Sequence, residues 1–246
     1  MWSVNSETAI AIIPARYGST RLPGKPLIEI HGKSLIEHVY RRVQQARGLQ
    51  GILVATDDAR IFETVRKFGG EVKMTRSDHQ SGTDRLAEAA ADMSPDALVV
   101  NVQGDEPLIE PEVIERAVAE ARRGGADIVT VMTPLDDPSG IRDPNRVKVV
   151  SGRDGFALYF SRSPIPSSGT TFLHLGLYVY RVGFLRQFTK LERTPLETAE
   201  RLEQLRALEH GFRIRVVEVD SASWGIDTPA DLERYKAVFN GAYIHG

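Results

Sequence analysis

The sequence predicts an α/β protein in three layers, with helices on both faces of a mixed, mostly parallel sheet and a small antiparallel elaboration. Three observations carry this expectation. Ile10 to Ile13, Ile52 to Thr56 and Ala97 to Val102 are short apolar runs, as expected of strands buried on both faces. Amphipathic stretches of helical period alternate with such runs over the first 135 residues, the rhythm of βαβ units with right-handed crossovers. The rhythm then changes: two short runs flank Ser151-Gly-Arg-Asp-Gly155, a hairpin signal.

The first strand, Ile10 to Ile13, should break at Pro14 into a loop with glycines at 18 and 24 and cations at Arg16, Arg21 and Lys25. Such a loop suits a polyphosphate: glycine admits close backbone approach, exposed amides donate, and fixed cations neutralise the oxygens. It is neither a Walker A loop nor a GxGxxG fingerprint. A basic surface loop after an edge strand is the alternative at this point.

An extended piece, Leu27 to Ile30, leads through a turn at His31-Gly32 to Ser34, which with Glu37 forms an expected capping box. The helix that follows should run from Leu35 to about Ala46, with Leu35, Ile36, Val39, Tyr40 and Val43 inward. Ile52 to Thr56 is a strand, and Asp57-Asp58 opens a helix closed by Gly69-Gly70. Glu71 to Thr75 is the third strand, Arg76 to Thr83 a polar loop, and a helix runs on to about Met93. Ala97 to Val102 is a strand running into Gln103-Gly104-Asp105-Glu106-Pro107. Pro111 opens a helix closed at Gly124-Gly125, and Asp127 to Thr133 is a strand. Beyond these lie the hairpin Val147 to Val150 with Phe156 to Phe160, a proline-broken loop from Ser163 to Thr170, and a strand from Phe172 to Tyr180. Thr194-Pro195 caps one helix carrying Leu202, Leu205 and Leu208 to Gly211. Arg213 to Val219 is a strand, and Asp231 to Phe239 the last helix.

Bulk composition narrows the function classes. Hydrophobic residues make up 41% of the 246 and charged residues 26%, enough for a full core. The net charge of −2 gives no global field for nucleic acid or an anionic membrane, so an anion site must be local. There is no cysteine, which excludes disulfides, thiolate metal sites and a cysteine nucleophile, and fits a cytoplasmic protein. Neither a signal peptide nor a membrane insertion is expected.

In an open parallel sheet, ligands bind beyond the carboxyl ends of the strands. The polar residues there are Pro14 to Lys25, Asp57-Asp58, Arg76 to Thr83 and Gln103 to Glu106. Asp105 stands out, because a carboxylate in a short loop after a buried strand can hold Mg²⁺ beside phosphates. A turn aspartate or helix cap is the alternative there, as it is for Asp227 in Gly-Ile-Asp-Thr-Pro. His79 and His174 are possible ligands, although lone histidines more often make ordinary polar contacts.

Residues 12–26, Ile-Ile-Pro-Ala-Arg-Tyr-Gly-Ser-Thr-Arg-Leu-Pro-Gly-Lys-Pro, resemble the opening motif of the CMP-KDO synthetases, the 3-deoxy-manno-octulosonate cytidylyltransferases. The segments 74–85, 100–107, 147–150, 157–162, 174–178, 202–206 and 225–229 follow in that family's order, so the resemblance spans nearly the whole chain. It implies a single Rossmann-like αβα nucleotidyltransferase domain over 1–246. Within it lie a nucleotide-binding part at 9–135, a sugar-binding and dimer-contact elaboration at 145–220, and a loop and helix at 221–240 returning a metal aspartate. It implies the reaction CTP + KDO → CMP-KDO + pyrophosphate with Mg²⁺, serving lipopolysaccharide synthesis in a cytoplasmic homodimer. A related acid sugar is the neighbouring substrate class, and a non-catalytic nucleotide-binding module the reading from another class.

Carried over position by position, the resemblance sets Pro14, Ala15 and Arg16 against the cytidine and its phosphates, and Arg21 and Lys25 on the triphosphate. It implies that Arg76 and Ser81 read the cytosine. It implies that Asp105 and Asp227 bind metal and with Arg21 and Lys25 form the catalytic set, and that Gln103, Arg162, His174, Tyr178, Glu203 and Gln204 line the sugar site. The stretch between Ser163 and His174 is shorter than in the family's pattern.

Overall fold

The computed structural model describes residues 8–18, 22–221 and 223–239. Strand β1 (Ala9–Ala15) lies inside the sheet. Its alternate residues feed two cores, Ala9, Ala11, Ile13 and Ala15 on one face and Ile10 and Ile12 on the other. Burial on both faces explains why the apolar run is continuous rather than alternating.

The strand does not break at Pro14, which pairs with Ala55. Thr8 and Ile12 give their carbonyls to the strand on one side, and Pro14 faces the same side by the two-residue alternation. Pairing on that side ends at Ile12, so the missing N–H of Pro14 removes no ladder bond.

Downstream, the 3₁₀ turn Lys25–Leu27 precedes a hairpin of β2 (Glu29–Ile30) and β3 (Lys33–Ser34), turned at His31 and Gly32, both at positive φ. Helix α1 (Leu35–Val43) follows. The expected capping box does not form. Ser34 is held in β3 with its Oγ buried and unpartnered, and Glu37 instead takes Arg41 at 2.8 Å. Then come β4 (Gly51–Thr56), α2 (Ala59–Lys67), β5 (Glu71–Met74), α3 (Gly82–Ala89) and β6 (Leu98–Asn101), the strands parallel to β1 or to one another. Helix α4 (Pro111–Arg123), strand β7 (Ile128–Pro134) and the short α5 (Pro138–Arg142) complete this half.

The second half contributes the hairpin β8 (Lys148–Ser151) and β9 (Ala157–Ser161), then β10 (Phe172–Arg181), α6 (Val182–Phe188), α7 (Pro195–Glu200), α8 (Gln204–Glu209), β11 (Ile214–Glu218) and α9 (Pro229–Val238). One nine-stranded sheet runs β11-β7-β10-β6-β1-β4-β5, with β8 on β10 and β9 on β8. Strand β10 is therefore no peripheral addition: it is inserted antiparallel between β6 and β7. Residues of α1, α2 and α4 fill the core on one face, and those of α3, α6 and α8 fill the other.

The single helix expected from Thr194 to Gly211 is two. Arg201 sits at φ 55°, and the guanidinium of Arg162 takes the carbonyls of Glu200 at 2.9 Å and Arg201 at 3.4 Å. An external donor thus terminates α7, and no glycine or proline marks the break in the sequence.

The same corner holds Lys148, fully buried, whose Nζ donates to the carbonyls of Asp143 at 2.9 Å, Arg146 at 2.6 Å and Arg162 at 2.6 Å. Burial lowers its pKa, and the three acceptors are what compensate its charge. Replacing Lys148 by Met takes this donor from the carbonyls of Arg146 and Arg162, while that of Asp143 keeps the Arg146 amide at 3.1 Å. The expected cost is about 3 kcal/mol, read as a lower urea midpoint at unchanged slope. A loss below about 1 kcal/mol would contradict this account.

Candidate active site

Strands β6, β1 and β4 end at the same edge of the sheet. The connection after β1 leads toward β4 and that after β6 leads away to β7, so a crevice opens between their ends. A cavity of about 350 Å³ lies there, with Pro14, Ala15, Arg16 and Gly18 on one wall and Gln103, Gly104 and Asp105 on another. Gly104 lets the two loops meet, since a Cβ on it would lie 3.0 Å from the carbonyl oxygen of Pro14. A third wall is the turn His79, Gln80, Ser81 and Gly82 that begins α3. Here Ser81 does form a capping box, with Asp84, so the first turn of α3 begins at the cavity edge.

Lys25 and Asp227 also line the cavity. The amide of Gly24 closes on the carbonyl of Tyr17 at 3.2 Å, and Gly24 is at φ 67°. Lys25 therefore starts a fixed turn. Asp227 arrives from far along the chain by two devices. The amide of Ile226 donates to the carbonyl of Asp105 at 2.8 Å, and α9 packs Leu232 and Tyr235 into a small core with Leu22, Ile30 and Leu35.

The Nζ of Lys25 lies 2.6 Å from Asp105 Oδ2 and 2.9 Å from Asp227 Oδ1. Burial opposes its charge, but the two carboxylates outweigh burial and hold its pKa above the ordinary value. Glu106, half-buried beside them, is pushed up to about 8 by burial first and then by Asp105 and Asp227. One ammonium thus faces two carboxylates, and the local excess of negative charge is felt by a third acid.

Not every residue singled out in the sequence meets in this cleft. Pro14, Ala15, Arg16, Lys25, Ser81, Gln103, Asp105 and Asp227 do. Arg21 lies outside the described residues. Arg76 is 71% exposed on the outer side of the turn, 3.3 Å from Asp78. Arg162 is committed to the carbonyls of Pro144, Glu200 and Arg201.

A second group gathers on the face of the sheet below the cleft. His174 donates to or accepts from Thr130 Oγ1 at 2.9 Å, and the ring of Tyr178 lies 5.3 Å from it. The ladder between β10 and β7 slips between Leu175 and Tyr178, a bulge that brings Gly176 against Glu106 and Gln103. The Nε2 of Gln103 donates to the Gly176 carbonyl at 3.4 Å. Glu203 accepts from Thr83 at the start of α3, and its pKa is raised by burial. Gln204 is buried with its Nε2 unpartnered.

Three residues at the site were not singled out as functional in the sequence. Arg85 lines the cleft, almost wholly buried, and pairs with Asp57 at 2.9 Å. The signal was present, because Asp57 stands at a strand end and needs a cation. Thr83 ties the two groups together. Glu88 pins the turn from outside, accepting the Arg76 amide at 3.2 Å and meeting His79.

Mg²⁺ fits the donors present. Among the described residues no group of three or more metal-ligating side chains occurs, so an all-protein cage is absent. A pair of hard carboxylate oxygens in a cleft is what an ion that keeps waters and substrate oxygens requires.

Comparison with known proteins agrees with this geometry. Residues 10–214 match a family model described as cytidylyltransferase. A 3-deoxy-manno-octulosonate cytidylyltransferase of Syntrophotalea carbinolica is 54% identical, covering 94% of this chain and 98% of that protein. One from Geobacter metallireducens is 50% identical, covering 91% and 94%. A solved structure of CMP:2-keto-3-deoxy-manno-octonic acid synthetase complexed with CTP superposes with TM-score 0.89 at 42% identity, over 94% of this chain and 98% of that one. A 4-diphosphocytidyl-2C-methyl-D-erythritol synthase from Anaerococcus prevotii, 16% identical with TM-score 0.64 over 94% and 96%, shares the fold.

Burial pushes His174 down to about 3, from 6.5. Its folded pKa lies below its unfolded value, so the native state binds fewer protons. The stability this contributes is full above pH 6.5 and is lost as pH falls toward about 3. His38, also lowered by burial, acts with the same sign. The expected slope from His174 below its unfolded pKa approaches about 1.4 kcal/mol per pH unit. Urea unfolding of His174→Gln should show a visibly flatter pH dependence than the parent, and an unchanged slope would refute the assignment.

Proposed function

This chain belongs to the cytidylyltransferase family, and on that premise we propose that it joins CTP to 3-deoxy-D-manno-octulosonate (KDO), forming CMP-KDO and pyrophosphate. The observation that carries the reading is the cleft itself. A loop of cations and open backbone meets two aspartates brought from Asp105 and Asp227, in a chain half identical to enzymes of that name. KDO activated in this way is the form in which it enters lipopolysaccharide. The same reading carries a cytoplasmic homodimer. No described helix is long and apolar enough to cross a membrane.

The nucleotide occupies the crevice, with its phosphates along Pro14 to Gly18 and Lys25 and its base toward the turn at Ser81. The acid sugar lies on the side of Gln103, Tyr178 and Glu203. The anomeric hydroxyl attacks the α-phosphorus and the new P–O bond forms. The bond to the β-phosphate oxygen breaks, pyrophosphate leaves with that electron pair, and the hydroxyl proton is released. Such a transfer asks the protein for alignment and charge stabilisation rather than covalent help. Arg21 and Lys25 offset the charge that grows on the leaving pyrophosphate. The cap at Ser81 fixes the amides of α3, and Arg85, neutralised by Asp57, stiffens the floor beneath them. Asp105 and Asp227 would hold Mg²⁺, which when bound neutralises phosphate oxygens and acidifies a hydroxyl.

Pyrophosphate release tests the reading. With CTP and Mg²⁺ it should depend on KDO, and UTP should be a far poorer donor. A panel including an 8-amino analogue and a sialic acid should favour KDO. KDO-independent release, or a preference for sialic acid, would overturn the assignment.

The aspartates are expected to matter more than any single cation. Asp105→Ala and Asp227→Ala should each lower kcat by about 1,000-fold or more, and Lys25→Ala by about 100- to 1,000-fold. Robust turnover by Asp105→Ala would remove that residue from the reacting centre.

A further inference from the structure

In this chain a lysine stands where two carboxylates would hold an ion. The Nζ of Lys25 lies within hydrogen-bond distance of both Asp105 Oδ2, at 2.6 Å, and Asp227 Oδ1, at 2.9 Å. It is the only cation whose contact with both aspartates is seen among the described residues. The ammonium thus occupies the space between the two acids. A divalent ion binding them with this lysine in place would set three positive charges in one small, partly enclosed volume.

The surrounding structure lets the side chain leave without the backbone moving. The Lys25 amide takes the carbonyl of Leu22 at 3.1 Å, its own carbonyl takes the amide of Ile28 at 3.2 Å, and the Tyr17–Gly24 bond closes the loop behind it. Only the four-carbon stem is free to swing, and lysine carries a compact charge on such a stem. The carboxylates are also held independently of it. Asp105 and Asp227 are tied through the Ile226 amide, and α9 anchors the strand-end loop through its own core. Pro14, Ala15, Arg16 and Gly18 line the same cavity, so a phosphate chain bound there lies within the reach of the stem.

We propose that Lys25 is a gate on the metal site: in the substrate-free chain its ammonium fills the Asp105–Asp227 pair and excludes a divalent ion, and a nucleoside triphosphate draws it onto the phosphates and opens the pair. This rests on the reading of Asp105 and Asp227 as the metal carboxylates. The consequence is an order of assembly in which the ion enters with or after the nucleotide, so a bare ion does not occupy the centre ahead of substrate.

The test uses Mn²⁺ alone, with no nucleotide or sugar, following free Mn²⁺ by electron paramagnetic resonance. Lys25→Met should bind Mn²⁺ at least about 10-fold more tightly than the parent chain, because the competing charge is gone. Lys25→Arg, which keeps a cation, should remain as weak as the parent. Lys25→Met combined with Asp227→Asn should lose the gain. Thermal unfolding supplies a second readout, with Mn²⁺ raising the Tm of Lys25→Met and leaving that of the parent unchanged. Lys25→Gln, which can still donate to one carboxylate, gives the same comparison should the methionine variant not fold. A parent chain that binds Mn²⁺ as tightly as Lys25→Met, with both losing it on Asp227→Asn, overturns the gate and leaves the metal pair standing. Failure of folded Lys25→Met and Lys25→Gln to bind Mn²⁺ overturns the metal pair and the gate with it. A gain that survives Asp227→Asn places the ion elsewhere and overturns both.

Discussion

The centre depends on one ammonium between two carboxylates that come from 80 and 202 residues away. Two acids brought together in a partly buried cleft repel each other and lose hydration, and the fold must supply a cation or separate them. Lys25 supplies it from the first loop. The three segments that build the site are therefore held by a shared electrostatic requirement as well as by packing. The rigid parts around it make the requirement bearable: a fixed 3₁₀ turn under Lys25, a glycine at 104 that lets the β6 loop touch β1, and the Ile226–Asp105 backbone bond. Glu106 marks the limit, since burial first, and then the two aspartates that bind Lys25, disfavour a third charge there.

Much of this was legible in the sequence, for identifiable reasons. The apolar runs at 10–13, 52–56 and 97–102 admitted one reading because strands covered on both faces leave no polar alternation, and each lies within or overlaps a strand of the sheet. The loop of Pro14 to Lys25 and the acids at Asp105 and Asp227 announced themselves by residue type and by position at strand ends. What remained hidden was whatever a competing contact decides, whether near in the chain or far. Ser34 and Glu37 have the spacing of a capping box, yet Ser34 is held in a β-hairpin and Glu37 has a closer cation in Arg41. Ser81 with Asp84 and Thr228 with Asp231 have the same kind of spacing and do form boxes, so spacing alone does not discriminate. The break at Arg201 has no local cause at all; it is made by Arg162, 39 residues earlier.

Arg162 also shows how a chemical argument from residue type can be right in kind and different in partner. A guanidinium, whose fork matches a carboxylate, can also spread its several donors over separate carbonyl oxygens. Here three carbonyls already satisfy it, and through them it ends α7 just before Glu203 and Gln204. Its hold on the acceptor side of the cleft is exerted on the backbone. Lys148 acts on the same loop in the same way, so two cations fasten one junction without either being exposed to a ligand in this arrangement.

The position of β10 then connects fold to chemistry. Were β7 beside β6, as a simple run of parallel units would place it, the ground beneath the end of β6 would be one more parallel strand. An antiparallel strand inserted there presents its residues in the opposite sense, and its bulge at Leu175 to Tyr178 turns Gly176 toward Gln103 and Glu106. Tyr178 and His174 come to lie under the cleft, and Glu203 reaches Thr83 across the same face. The proposed reading puts nucleotide chemistry on the parallel half, where strand ends converge. It puts the groups suited to a second, hydroxylated substrate on the inserted half. A helix turn beginning at Ser81 belongs to both, because Ser81 lines the cavity while Thr83, two residues on, is bound to Glu203. Any displacement of the acceptor side is thereby felt at the wall of the nucleotide crevice, which is the physical condition for two substrates to be aligned as one unit.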